Sequence, residues 1–129
     1  GVLLLDRYVT SNMLHQATKI DDDFERTQMI DWIEKFEYED LLLPKPDVVI
    51  FLDMPPQFSK KLRELRGDLK AGTNKDVHEQ DANYLKRCYN LGIQIAKDKN
   101  WNIIKCYEED TIKSREQINK EIINLLSKI

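Results

Sequence analysis

Three short runs of mostly apolar residues, each followed by a helical pattern, limit the folds open to this chain. The runs cover residues 2–5, 48–52 and 102–105. Apolar runs that do not alternate with polar residues are typical of a sheet that helices cover on both faces. Strands that alternate with helices predict a parallel sheet. We therefore predict an α/β fold with three parallel strands and helices on both faces.

Apolar residues at helical spacing predict the helices between and after these strands. The residues that mark them are, in chain order, Phe24, Trp32, Ile33 and Phe36; Leu62 and Leu65 after Pro55 or Pro56; Tyr84, Cys88, Leu91 and Ile95; and Ile118, Ile122, Leu125 and Ile129. Ser114 and Gln117 have the spacing of a capping box at the last helix. Asp53 either caps the helix that follows the second strand or contacts a ligand directly.

The composition narrows the class of protein. At 129 residues the chain is long enough for one domain, and a net charge of -3 argues against a basic nucleic-acid surface. Neither a membrane-length apolar segment nor a leader-like start is visible, so we expect a cytoplasmic protein with no membrane partner. Cys88 and Cys106 lack metal-ligand spacing and are expected to be free, buried thiols.

Polar residues follow the first predicted strand at the edge where open α/β sheets bind ligands. Asp6 and Arg7 come directly after the apolar run. Further polar residues at helical spacing follow them, and they are Ser11, Asn12, His15 and Gln16. The pattern predicts a ligand site held by Arg7.

A second polar segment spans residues 66–76, with two glycines and no apolar periodicity, and we predict a mobile loop between helices. Arg63 and Arg66 precede it at a spacing that places both on one helix face. Taken by itself, this pattern is typical of a solvated face.

Four segments in order resemble the thymidylate kinases, which are P-loop nucleoside monophosphate kinases. The segments are DRYVTSN at residues 6–12, LPKPD at 43–47 followed by VVIFLD, Arg66-Gly67, and residues 76–79 with Tyr84. The resemblance implies a P-loop NTP hydrolase-type sheet. The phosphate-cradling motif GxxxxGK(S/T) is absent from the 129 residues, so the resemblance covers only the later part of that domain.

The resemblance also implies how the parts are arranged. We expect one partial kinase domain over residues 1–129, with the acceptor-site strand, helices and core in 1–66, the lid loop in 67–76, and the lid helix, last strand and C-terminal helix in 77–129. In the family, the P-loop strand lies between the strand ending in Asp-Arg and the strand after LPKPD. Without it the sheet has a gap, and we expect these residues alone to be unstable, swapped or rearranged.

The activity implied is transfer of the γ-phosphoryl group of ATP to dTMP with Mg²⁺, in an enzyme that is usually a homodimer. Without a P-loop the chain alone is expected to be inactive. Two rivals stay open: a deoxynucleoside kinase, whose signature usually starts with Glu-Arg-Ser, and a non-catalytic binding domain derived from the kinase fold.

The resemblance also assigns roles to individual residues. Arg7 would grip the acceptor phosphate, Arg63 and Arg66 would clamp the transferring phosphoryl group, and Asp6 would act on Mg²⁺ through water. Asn12 would read the N3–H and O4 edge of thymine. The other predicted substrate-binding residues are Ser11, His15, Gln16 and Glu79. The alternatives to these roles are structural. Asp6 and Arg7 would form ion pairs, and Ser11 and Asn12 would cap helices.

Two further features bear on substrates. His15 stands where some relatives carry tyrosine near the deoxyribose, which leaves discrimination between sugars open. The loop at residues 106–111 stands where relatives receive adenine, although its acidic residues do not favour that role.

Overall fold

The structure, a computed structural model, describes the fold of residues 1–67 and 75–129 and the side chains of these residues outside 75–80. The chain divides into two compact units, Gly1–Asp47 and Val48–Ile129. Each unit has its own buried residues.

The first unit is built from helices. Helix α1 spans Val9–Thr18, helix α2 spans Asp23–Glu34, and a π-helix follows directly over Lys35–Asp40. Asp22 caps α2, because its carboxylate accepts a hydrogen bond from the backbone N–H of Glu25 at 2.9 Å. The buried apolar residues of the two α-helices form the core of the unit, and they are Val9, Met13, Ala17, Ile30 and Ile33.

The prediction of a strand over residues 2–5 is wrong in this structure. The segment lies in no strand or helix, and Val2, Leu3 and Leu4 are at least 80% exposed. A strand needs a neighbour to accept and donate its backbone hydrogen bonds, since an unpaired strand is not stable in water. The apolar character of the run does not supply that neighbour.

The second unit contains the sheets. Its elements are β1 (Ile50–Asp53), α3 (Pro56–Leu65), α4 (Lys75–Asp98), β2 (Asn102–Lys105), β3 (Tyr107–Glu108), β4 (Thr111–Ile112) and α5 (Arg115–Ser127). Strands β1 and β2 pair in parallel, with Ile50 opposite Asn102 and Asp53 opposite Lys105. Strands β3 and β4 form a short antiparallel pair. Among the described residues, the parallel sheet thus has two strands where three were predicted.

Helices α3 and α4 connect β1 to β2, and their apolar faces contribute most of this unit's core. The buried apolar residues are Phe58, Leu91, Ile95, Ala96, Ile104 and Cys106. Phe58 also stacks on Tyr107, with ring centroids 5.2 Å apart. The helices α2, α3, α4 and α5 confirm the four that were predicted from apolar spacing.

The helix starts show which capping predictions hold. At α5 the capping box is confirmed: Ser114 and Gln117 exchange side-chain-to-backbone hydrogen bonds at 2.8 and 3.1 Å. The prediction that Asp53 caps α3 is wrong, because Pro55 occupies the N-cap and Pro56 the first helical position. Asp53 instead accepts a hydrogen bond from the Tyr89 hydroxyl.

Helices mixed with a two-stranded parallel sheet are consistent with the predicted α/β class. Within the part of the chain that the structure describes, none of the helices has the length and apolar character needed to cross a membrane. The free thiols are confirmed for both cysteines, with Cys106 buried and Cys88 half-buried.

Candidate functional site

Arg7, the predicted phosphate-binding residue of the first unit, and Asp6, its predicted Mg²⁺ residue, lie in the bend before α1. Asp6 and Arg7 are both exposed, and Arg7 has φ +70°. This left-handed conformation is uncommon for a residue with a side chain and costs about 1–2 kcal/mol. The bend ends at Tyr8, whose carbonyl accepts hydrogen bonds from the backbone N–H groups of Ser11 and Asn12.

The four other predicted residues of this unit lie on α1. Ser11, Asn12 and Gln16 are half-buried, and His15 is exposed. At about 100° per residue, the four cover an arc of about 140° on the helix. Helix α1 therefore places them together, after the bend that carries Asp6 and Arg7.

Asn12 is held by a residue that the sequence did not single out. Its Nδ2 group donates a hydrogen bond to Oε1 of Glu37, at 3.0 Å. Glu37 lies 25 positions away in the π-helix, so nothing local in the sequence connects the two residues. The nearest signal was the acidic character of residues 37–40, which would ordinarily indicate a solvated face.

Two tyrosines contact the proline-rich segment, Tyr8 from the start of α1 and Tyr38 from the π-helix. The Tyr8 hydroxyl donates to the carbonyl of Pro44 at 3.0 Å, and Lys45 Nζ lies 5.8 Å from the centroid of the Tyr38 ring. Burial, with the nearby Tyr8 hydroxyl as the next cause, raises the pKa of Tyr38 to about 12. Both contacts involve the segment that follows the π-helix in which Glu37 lies.

The predicted phosphoryl clamp lies in the second unit, where α3 ends. Arg63 is half-buried in the last turn of α3, and Arg66 is the exposed C-cap residue. Gly67 follows at φ +74°, and its N–H donates to the carbonyl of Glu64. Glycine suits this left-handed position because it has no Cβ. Residues 68–74 of the predicted lid loop, and the side chain of Glu79 in α4, lie outside the described residues.

A buried polar pair lies at the carboxyl end of the parallel sheet. Asp53 is 4% exposed, and its Oδ1 accepts from the Tyr89 hydroxyl at 2.6 Å. Burial and this hydrogen bond raise the pKa of Tyr89, while burial followed by the Asp53 charge raises the pKa of the Cys106 thiol. Cys106 is therefore a poor nucleophile. The sequence offered no signal for this pair, because its members are 36 positions apart.

Residues 106–111, predicted as a loop, contain β3, the turn after it and the first residue of β4, and they border a cavity of about 580 Å³. Positively and negatively charged side chains line this cavity, among them Lys105, Lys113 and Glu121. Lys113 Nζ contacts Glu121 Oε1 at 2.7 Å, and this hydrogen bond raises the pKa of Lys113. The cavity is thus a mixed-charge surface.

No group of three or more His, Cys, Asp or Glu side chains suited to a metal ion occurs within residues 1–67 and 81–129. Asp6 offers one exposed carboxylate. One carboxylate is compatible with Mg²⁺, which commonly keeps several waters and binds one or two carboxylates together with substrate phosphates.

The described geometry is that of a mixed α/β protein with a polar loop-and-helix site. Among known proteins, curated thymidylate kinases from two strains of Mycobacterium tuberculosis are each 29% identical to this chain over 86 residues. The match covers 67% of this chain and 40% of each relative. No family model matches the chain, and no solved structure matches it significantly. The similarity supports a distant relationship to kinases of this kind.

Proposed function

We propose that this chain is the acceptor-binding part of a thymidylate kinase, which transfers the γ-phosphoryl group of ATP to dTMP and forms dTDP. The observation that carries the proposal is the placement of Arg7, Ser11 and Asn12 on one bend and the helix that follows it. The partial similarity to the mycobacterial thymidylate kinases supports the same substrates. Cytoplasmic location and a homodimeric, swapped or rearranged assembly belong to this proposal.

In the proposed reaction the protein positions the substrates and neutralises charge, since phosphoryl transfer leaves little covalent chemistry to side chains. The planar guanidinium of Arg7 would bind two oxygens of the acceptor phosphate. Ser11, His15 and Gln16 would line the nucleoside, with Asn12 on the base. The left-handed backbone at Arg7 supports a functional position, because strained residues cluster at binding sites.

Residues of the second unit are proposed to act on the phosphoryl donor. Arg63 and Arg66 would neutralise the phosphoryl group in transfer, and Glu79 would support the sugar or metal region. Asp6 would hold Mg²⁺ through a bound water. When bound, Mg²⁺ supplies charge neutralisation on the phosphates. Residues 1–66, 67–76 and 77–129 would then act as acceptor site, lid loop and lid helix with the C-terminal core.

The test uses the complete product of the reading frame that contains these 129 residues. Purified protein is incubated with ATP, Mg²⁺ and either dTMP or thymidine, and ADP formation is followed. We expect turnover of dTMP, and a loss of at least about a hundredfold in Arg7→Ala, the size seen when one donor to a developing charge is removed. Arg7→Lys should recover only part of the rate, because an ammonium cannot bind two oxygens in the same plane.

Lys19→Ala is the matched control, since Lys19 is an exposed cation at the other end of α1. It should keep the wild-type rate. A preference for thymidine over dTMP would assign the protein to the deoxynucleoside kinases instead. A folded protein that turns over neither substrate would refute the proposal and favour a binding domain.

A further inference from the structure

The hydrogen bond between Asn12 and Glu37 determines which way the Asn12 amide points. A carboxylate only accepts hydrogen bonds, so the atom facing Glu37 Oε1 at 3.0 Å must be the amide nitrogen. One N–H of Nδ2 is used in this contact. The second N–H and the carbonyl oxygen Oδ1 are then available for a ligand.

The backbone on both sides of Glu37 is also held in place. The carbonyl of Phe36 accepts from the N–H of Leu41 at 2.8 Å, and the carbonyl of Glu37 accepts from the N–H of Leu43 at 3.0 Å. The first bond spans five residues, as in a π-helix, a form that occurs often at functional sites. The second spans six residues and closes the end of the π-helical segment. Glu37 and Asn12 are both half-buried, which restricts the rotation of their side chains.

A fixed amide can distinguish one pyrimidine from another. An oxygen acceptor beside an N–H donor complements a base edge that carries N3–H and O4, as thymine and uracil do. Cytosine presents an unprotonated N3 and an exocyclic amino group there, so acceptor would face acceptor and donor would face donor. An asparagine able to rotate by 180° would accommodate both edges.

We infer that Glu37 is a positioning residue that selects a pyrimidine nucleotide with an N3–H group over a cytidine nucleotide, by preventing rotation of the Asn12 amide. The inference rests on the proposed function, because it takes Asn12 to be the residue that reads the base. Glu37 itself does not touch the substrate. Its effect should therefore appear in the choice between bases and leave the chemical step unchanged.

The experiment measures kcat and KM for dTMP and dCMP in the complete reading-frame product and in Glu37→Gln. Glutamine keeps the size of the side chain, but its amide can either donate or accept, so both orientations of Asn12 become possible. We expect the ratio of kcat/KM for dTMP over dCMP to fall about tenfold, the effect of one hydrogen bond of about 1.4 kcal/mol. The change should arise in KM, with kcat for dTMP kept within about twofold, because uniform binding terms leave kcat unchanged.

Glu39→Gln is the matched control, since it removes the same charge from an exposed position in the same π-helix. It should leave the ratio unchanged. Glu37→Asp keeps the carboxylate and should therefore keep more of the preference for dTMP than Glu37→Gln. It replaces Glu37→Gln in the experiment if the glutamine variant does not fold. In the complete reading-frame product, the Asn12 side-chain amide signal in NMR should lose its protection from exchange in Glu37→Gln and keep it in Glu39→Gln.

The outcomes separate the two proposals. Turnover of dTMP with an unchanged base preference in folded Glu37→Gln would overturn the role of Glu37 and leave the proposed function standing. Absence of turnover of any pyrimidine monophosphate by the wild type would overturn both. A fall in preference of equal size in Glu39→Gln would show a general effect of charge, and would also overturn the role of Glu37.

Discussion

At the residue scale, the informative contacts join polar side chains that are far apart in sequence. Tyr89 and Asp53 meet at 2.6 Å, Asn12 and Glu37 at 3.0 Å, and Tyr8 reaches the carbonyl of Pro44. The first two contacts place polar atoms in buried or half-buried positions with a partner, whereas the third is exposed. No buried side-chain nitrogen or oxygen in the described part of the chain is left without a partner.

Replacing Tyr89 by phenylalanine should destabilise the second unit. The buried Asp53 carboxylate would lose its hydroxyl donor, and we expect the free energy of unfolding to fall by about 1–3 kcal/mol. Urea denaturation, followed by circular dichroism, measures this change in the free energy of unfolding. Tyr107→Phe removes a hydroxyl from a ring stacked on Phe58 and should change stability by less than about 0.5 kcal/mol. An equal loss in both variants would contradict this assignment.

The raised pKa of Tyr38 predicts a decline in stability at high pH. The ordinary tyrosine pKa is 10.0 and the folded value is about 12, so between these values the unfolded chain loses a proton that the folded chain retains. Fewer protons on the unfolded state make stability fall as pH rises. The protonated Tyr38 hydroxyl therefore contributes fully to the stability of the folded state below pH 10. This contribution is lost as the pH approaches 12.

Thermal unfolding of wild type and Tyr38→Phe across this pH range isolates the effect. The midpoint of the variant should fall less than that of the wild type, because phenylalanine does not ionise. Identical pH profiles for the two proteins would show that Tyr38 titrates normally in the folded state.

At the scale of elements, helix ends were well predicted where the signal is local. The capping box at α5 needs only Ser114 and Gln117, three positions apart, and both of its hydrogen bonds are present. The start of α3 was placed correctly at Pro55 or Pro56, yet Asp53 does not cap it. Asp53 was misassigned because its partner, Tyr89, lies on a distant helix.

Ser114→Ala should weaken α5. The variant loses the side-chain acceptor for the Gln117 N–H, and loss of an N-cap costs about 1 kcal/mol. Chemical denaturation gives the change in stability, and faster amide exchange at Gln117 would locate it at the helix start. Ser127→Ala at the other end of α5 is the control. Its hydroxyl donates to a carbonyl at the exposed helix end, so a smaller change is expected.

At the scale of the whole molecule, the sequence predicted both strands of the parallel sheet in the second unit, and it wrongly predicted a third strand over residues 2–5. Strands β1 and β2 are mostly apolar and pair with each other in parallel. Residues 2–5 carry the same apolar signal without a described strand beside them, and periodicity contains no information about neighbours. The polar residues of the candidate site and their helical spacing were visible in the sequence. The Glu37 contact was not, because it depends on tertiary packing.

Residues 2–5 should therefore exchange their amide protons rapidly and promote self-association. Exposed apolar runs are sites of aggregation and pairing with other chains. We expect hydrogen exchange in residues 2–5 to be far faster than in β1 and β2. Sedimentation should show association that depends on concentration and weakens in the double variant Leu3→Lys, Leu4→Lys.

Leu65→Lys is the control, because Leu65 is a single exposed apolar residue at the end of α3, 82% exposed. It should associate like the wild type. Strong exchange protection over residues 2–5, equal to that of β1, would contradict the prediction and would indicate that the segment has found a strand partner.

The π-helix at Lys35–Asp40 also makes the length of this segment matter more than most of its side chains. Its wide turn accommodates one residue more than an α-helical turn does. Deleting one residue here would convert the wide turn into an α-helical turn and would change the direction in which the side chains of that turn point. Glu37 would then point away from Asn12. Substitutions at exposed positions such as Glu39 should be tolerated, whereas a one-residue deletion should not.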